Sequence, residues 1–291
     1  MFPNDIRAVA VFKLVESNTR CCFPAAFASV FVLILIVPSL SAQPTGYEKV
    51  LFPIVSTPTP GAHGSLWMSE VRVTNGDPEE SVGLAGGYAC FGCRTPVKVP
   101  PNITYTLMPL VGILGIPGSF LFVEQGKADH LHYELRVRDL SREEQSWGTE
   151  IPVVREREFR GDRINLLNIP LSPLYRRNLR IYTLNPISGA EVLVRIYSQP
   201  TGDRGVILGA SNDPDRILTE LVLSTTNVPK GSFPFSENYP GYAATTIFPV
   251  GGYQGPSVRI ELVPLTSGIR IWGFVSVTND RTNDFTVISP Q

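Results

Sequence analysis

Strict two-residue alternation of apolar and polar side chains is the feature that most constrains this chain. In residues 130–138, Leu131, Tyr133, Leu135 and Val137 share one parity, and His130, His132, Glu134, Arg136 and Arg138 share the other. Val192, Val194 and Ile196 repeat the pattern, as do Val258, Ile260 and Leu262. Ile269, Ile271, Val275 and Val277 form a further apolar face, with Gly273 as its gap. Successive side chains on a strand point to opposite faces, so each run reads as a strand with one face for a core and one for solvent. Helical periodicity is nearly absent. Turn-forming residues punctuate the runs at Asn75-Gly76-Asp77-Pro78, Asn185-Pro186 with Gly189, Asp213-Pro214 and Gly251-Gly252. One-faced strands at this spacing predict antiparallel β-sandwiches, in which the apolar faces of two sheets meet. Gly and Pro supply 51 of 291 residues and 43% of the chain is hydrophobic, which suits many short strands joined by turns rather than disorder.

The pattern is duplicated. Residues 49–55 resemble 164–170, and 72–75 resemble 180–185 once two extra residues are allowed in the second copy. Residues 132–139 correspond to 271–278, and each copy closes with a short strand, at 149–154 and 285–289. The offset grows along the chain, which places extra loop in the second copy, mostly between Ser198 and Pro256. The expected fold is therefore all-β: two tandem antiparallel β-sandwich domains, residues 43–160 and 161–291, meeting near Gly161.

Residues 1–42 read as an export signal. Arg7, Lys13 and Arg20 precede an apolar run from Phe23 to Leu40, and the small residues Ser39-Leu40-Ser41-Ala42 stand before polar sequence. Cleavage after Ala42 would remove Cys21 and Cys22. The run is also close to the length that spans a bilayer, so an uncleaved anchor is the alternative, and membrane is a partner only in that case. Export places the chain outside the cytoplasm, whether periplasmic, cell-surface or secreted. The remaining 249 residues carry 22 basic and 24 acidic side chains. That balance offers no electrostatic attraction for nucleic acid.

The segments Gly61-Ala-His-Gly-Ser-Leu-Trp-Met-Ser-Glu70, Gly148-Thr-Glu-Ile-Pro-Val-Val-Arg-Glu156, Val275-Ser-Val-Thr-Asn279 and Thr286-Val-Ile-Ser-Pro-Gln291 resemble a group of uncharacterised exported tandem β-sandwich proteins of environmental bacteria. The resemblance covers most of the chain after the leader. It implies export and a two-part β organisation, and no activity.

Five features bear on a site. Cys90-Phe-Gly-Cys93 lies between strand-like segments, and in an oxidising compartment the pair is expected as a local disulfide pinning a turn. A redox pair would want a helix start, and a metal site would need two further ligands, for which His130 and His132 are the candidates and His63 is the other histidine. Acidic turns at Asp77, Glu79 and Glu80, at Asp213 and Asp215, and at Asp280 and Asp284 invite calcium, but none has the spaced loop calcium favours, and acidic residues are good turn formers. Residues 155–163 form the densest charge run, including Arg160-Gly161-Asp162, and read as a solvated linker. Phe233, Phe235, Tyr239, Tyr242, Phe248 and Tyr253, among prolines and glycines, form a candidate binding loop for sugar rings or a partner, or else anchor that loop onto its sheet.

No Gly-x-Ser-x-Gly, His-Glu-x-x-His or phosphate-binding glycine loop is present. The expectation is an exported non-catalytic protein with a structural, adhesive or ligand-binding role and no cofactor, its partner a polysaccharide or another envelope protein. The alternative is an extracellular hydrolase, carbohydrate-active or metal-dependent, built on carboxylates that meet only in space.

Overall fold

A computed structural model describes residues 46–54, 58–61, 64–86, 97–107, 117–142, 147–199, 216–227, 239–248, 253, 255–282 and 284–291. The leader, Cys90, Cys93, His63, Asp213, Asp215, Phe233 and Phe235 lie outside the described residues. Residues 41–291 form one compact unit.

The described strands of the first half are β1 (Tyr47–Phe52), β2 (Thr59–Pro60), β3 (Leu66–Asn75), β4 (Val82–Gly86), β5 (Val97–Val99), β6 (Thr104–Leu107), β7 (Ser119–Glu124), β8 (Leu131–Asp139), β9 (Thr149–Glu150) and β10 (Val154–Arg155). Those of the second half are β11 (Ile164–Pro170), β12 (Tyr175–Thr183), β13 (Glu191–Gln199), β14 (Ile217–Ser224), β15 (Gly241–Thr246), β16 (Ser257–Pro264), β17 (Ile271–Asn279) and β18 (Phe285–Ile288). Helix is limited to single 3-10 turns among the described residues.

Four antiparallel sheets result. Sheet A runs β10-β1-β7-β4-β5, and sheet B runs β2-β3-β8-β9 with β6 also on β3. Sheet C runs β15-β12-β17-β18, and sheet D runs β11-β16-β13-β14. The two halves share one connectivity. β1-β7-β4-β5 matches β11-β16-β13-β14, and β6-β3-β8-β9 matches β15-β12-β17-β18, strand for strand in chain order. The four similar segment pairs of the sequence fall on the equivalent strands β1 and β11, β3 and β12, β8 and β17, and β9 and β18.

Alternation explains most of the burial. On β8, Leu131, Leu135 and Val137 are buried against Val71 and Val73 of β3 and the buried residues of sheet A. Val192, Val194 and Ile196 of β13 join Val258, Ile260 and Leu262 of β16 and one face of sheet C in a second core. Full burial of each such side chain is worth roughly 1.5–3 kcal/mol.

Of the strands whose apolar face the sequence named, β17 departs from the one-faced expectation. On β17, Ile271, Val275 and Val277 line the second core, whereas Trp272 and Phe274 belong to the first. Both faces are therefore apolar. Gly273 is a point of close approach rather than a gap, since a Cβ there would lie 2.8 Å from Leu262 Cδ1 and 2.9 Å from the Arg180 carbonyl oxygen.

Candidate functional site

The junction of the two halves holds the most developed polar assembly, built where the chain leaves sheet A. β10 pairs with β1, matching Val50 with Arg155. This brings Arg155 onto Glu48, 107 residues earlier: Nε donates to Oε1 at 2.6 Å and Nη2 to Oε2 at 2.5 Å. Its Nη1 donates to Asp129 Oδ1 at 2.6 Å, and Arg157 Nη1 lies 3.2 Å from the same oxygen. A forked guanidinium matched to a carboxylate is the strongest form of ion pair. The Glu48 carboxylate, followed by Asp129, holds the Arg155 pKa above its ordinary value, and the Arg155 hydrogen bond in turn lowers that of Asp129.

The second half closes the assembly. The Arg270 guanidinium donates to the Glu156 carbonyl oxygen and, through Nε, to that of Phe159 at 3.2 Å. Arg160 and Ile271 exchange backbone hydrogen bonds of 2.8 and 2.7 Å. Within the run expected as a solvated linker, Arg155, Glu156, Phe159 and Arg160 make these ties, while residues 157, 158 and 160–163 are exposed. Two clefts flank it. One, about 720 Å³, is lined by Tyr47, Glu48, Asp129, Arg155, Arg157 and Arg270 among others. The other, about 580 Å³, shares Arg157 and adds Arg160, Asp162, Arg163 and Trp272. Arg160 and Asp162 line this cleft, and residues 160–162 are exposed.

A second polar assembly crosses the outer face of sheet D. Glu261 is 5% exposed there. It accepts the Tyr197 hydroxyl at 3.0 Å, with Arg195 Nη1 at 3.4 Å and Arg163 Nη1 at 3.8 Å, and Arg195 continues to Glu220 at 2.7 Å. Arg259 stacks over the Tyr197 ring at 3.9 Å. Burial, and then the Glu261 carboxylate, push the Tyr197 pKa up.

The residues singled out by sequence are dispersed. His130 Nδ1 lies 3.5 Å from Asp77 Oδ2, while His132 points outward, 3.8 Å from Glu134. Among the described residues no group of three or more His, Cys, Asp or Glu side chains is placed to hold a metal. Asp77 Oδ1 accepts the amides of Glu79 and Glu80 and so organises its turn, while Asp280 pairs with Arg176 of β12. Three of the described aromatics of that stretch, Tyr239, Tyr242 and Tyr253, pack or bond onto the protein. Tyr239 is buried, and Tyr242 packs on Tyr182 at 5.4 Å between centroids. The Tyr253 hydroxyl accepts the Gln199 amide and donates to the Ser257 carbonyl oxygen. Phe248 alone of the described aromatics in that stretch is highly exposed, at 72%.

No family model, curated protein or solved structure matches this chain.

Sequence reasoning passed over Glu48, Asp129 and Arg270. Each is a single charged residue at a strand start or in a turn, and its partners lie far away in sequence, so no local spacing marks it.

Proposed function

We propose that this is an exported, non-catalytic protein of two tandem β-sandwich domains, residues 43–160 and 161–291, with a structural or adhesive role at the cell envelope or outside the cell. The observation that carries this reading is the way one half is tied to the other. Tyr182 donates its hydroxyl to the carbonyl oxygen of Pro53 and lies 3.0 Å from that of Pro117, while Trp272 and Phe274 enter the first core. Thr149 donates to the Phe285 carbonyl oxygen at 2.6 Å, and Arg142 to that of Thr282. Such ties join two modules into a stiff body, which suits a load-bearing or surface-presenting part better than a hinged catalytic one.

The test is intact mass on protein recovered from its natural compartment, with alkylation before and after reduction. A chain beginning near Gln43, with Cys90 and Cys93 alkylated only after reduction, supports export and the disulfide. A full-length cytoplasmic chain with free thiols overturns both. Binding of the mature chain to isolated cell envelopes then tests the adhesive role, and turnover of a polysaccharide would overturn the non-catalytic reading.

A further inference from the structure

We infer that the larger junction cleft is a seat for the carboxylate of an acidic sugar, and that Asp129 occupies this seat in the free protein. Arg155 is fixed by its forked bond to Glu48, which leaves Nη1 directed at Asp129. Arg157 Nη1 lies 3.2 Å from the same Asp129 oxygen. A single carboxylate oxygen bridging two guanidinium groups is the arrangement an incoming carboxylate would reproduce.

The inner and outer members of the cluster differ in exposure, and that difference makes exchange feasible. The Arg155 and Glu48 side chains are only 13% and 16% exposed, whereas those of Arg157 and Asp129 are 65% and 61% exposed. An exposed pair gains little over its solvated state, so its partner is replaceable, while the buried pair stays as the anchor. The cleft is charge-balanced before any ligand enters, so a carboxylate must take the place of Asp129 rather than add to it. Arg155, Arg157 and Arg270 stand against Glu48, Asp129 and Glu156 in the lining. An entering carboxylate that displaces Asp129 preserves the match at the guanidinium groups, and a neutral sugar does not. A cleft of about 720 Å³ is large enough for a sugar residue, and Tyr47 adds an aromatic side chain to its wall.

The choice of a sugar rests on the envelope role proposed above, where acidic polysaccharides are met. The site itself rests on the geometry. The experiment is titration calorimetry of the protein from its natural compartment with oligogalacturonate, neutral oligogalactan and an acidic peptide of matched charge. The expected result is salt-sensitive binding of oligogalacturonate, tightened about 3- to 10-fold by Asp129→Asn and weakened at least about 10-fold by Arg157→Ala. Unchanged thermal midpoints show both variants folded, as the exposure of both side chains leads one to expect. Equal affinity for the neutral oligomer, tighter binding of the peptide, or no tightening on Asp129→Asn overturns the inference. None of these outcomes touches leader cleavage or the alkylation pattern, so the site fails separately from the export reading.

Discussion

The Tyr182 ring lies parallel to that of Phe274, 9° from coplanar with centroids 6.3 Å apart, while its hydroxyl reaches the Pro53 and Pro117 carbonyl oxygens of the other half. One fully buried side chain therefore serves two purposes. It fills an aromatic cluster with Tyr242 and Trp272, and it satisfies backbone acceptors at the ends of loops flanking β1 and β7. Buried carbonyls lose water on folding, so a donor at that position is worth more than an exposed one.

Tyr182→Phe keeps the packing and removes the donor, and is expected to cost about 1–2 kcal/mol. Tyr182→Ala also opens a cavity in the cluster and is expected to cost about 3–5 kcal/mol. Because the ring ties the halves, the natural chain is expected to unfold in denaturant in one transition and the alanine variant in two. A single transition in the alanine variant would mean that the remaining ties, Arg270 and Thr149 among them, suffice for cooperativity.

Glu261 is the buried acid of sheet D, faced by Tyr197, Arg195 and Arg163. Arg163 is well exposed and Arg195 keeps Glu220, so removing Glu261 strands chiefly the buried Tyr197 hydroxyl. Glu261→Ala is accordingly expected to cost about 1–3 kcal/mol, and Glu261→Gln, which preserves an acceptor for Tyr197, less. Equilibrium urea unfolding of both variants checks the order. Equal costs would show that the charge, lost in both variants, carries the whole effect and that an acceptor for Tyr197 adds nothing.

Legibility in the sequence followed the reach of each signal. The alternation of β8, β13 and β16 and the turns between them are local, and they point directly to antiparallel sheets with apolar inner faces. The duplicated order of segments was likewise readable, because equivalent strands keep their succession in both halves. β17 defied the two-face rule. Trp272 and Phe274 face the other half, and only three-dimensional packing reveals that its second face is covered. The junction cluster was illegible for a related reason: Glu48 and Arg155 meet across 107 residues, and a charge run such as 155–163 has the same composition whether solvated or paired. The inward turn of Tyr239 and Tyr242 was one of two readings that the aromatic loop left open.

At Gly273 the neighbouring atoms decide a further outcome. Ala is ordinarily a mild replacement for Gly within a strand, even a favourable one. Here the added methyl meets Leu262 of the facing sheet and the Arg180 carbonyl oxygen of the adjacent strand. Gly273→Ala is therefore expected to destabilise by about 1–3 kcal/mol, as overpacking does. Leu262→Ala in the same chain should relieve part of that penalty, so the two changes together should cost less than their sum. Strict additivity in denaturant unfolding would show that the Arg180 backbone is the obstacle and the Leu262 side chain is not.

Acid sensitivity should trace to Asp139 at the end of β8. Burial pushes its carboxyl pKa up, but the Leu66 amide and the hydroxyl and amide of Ser141 more than offset this, and the net value lies below the ordinary aspartate value of 3.8. A depressed folded value means that the unfolded chain binds the proton first. The contribution is fully present above the unfolded value and is lost as pH falls through the folded one, so the window lies below about pH 4. The denaturation midpoint of the natural chain should fall between pH 5 and pH 2 more steeply than that of Asp139→Asn, and the two curves should converge at the acid end. Parallel curves would place the acid-labile group elsewhere, with Asp77, whose carboxylate accepts the Glu79 and Glu80 amides and whose pKa is also lowered, as the next to replace.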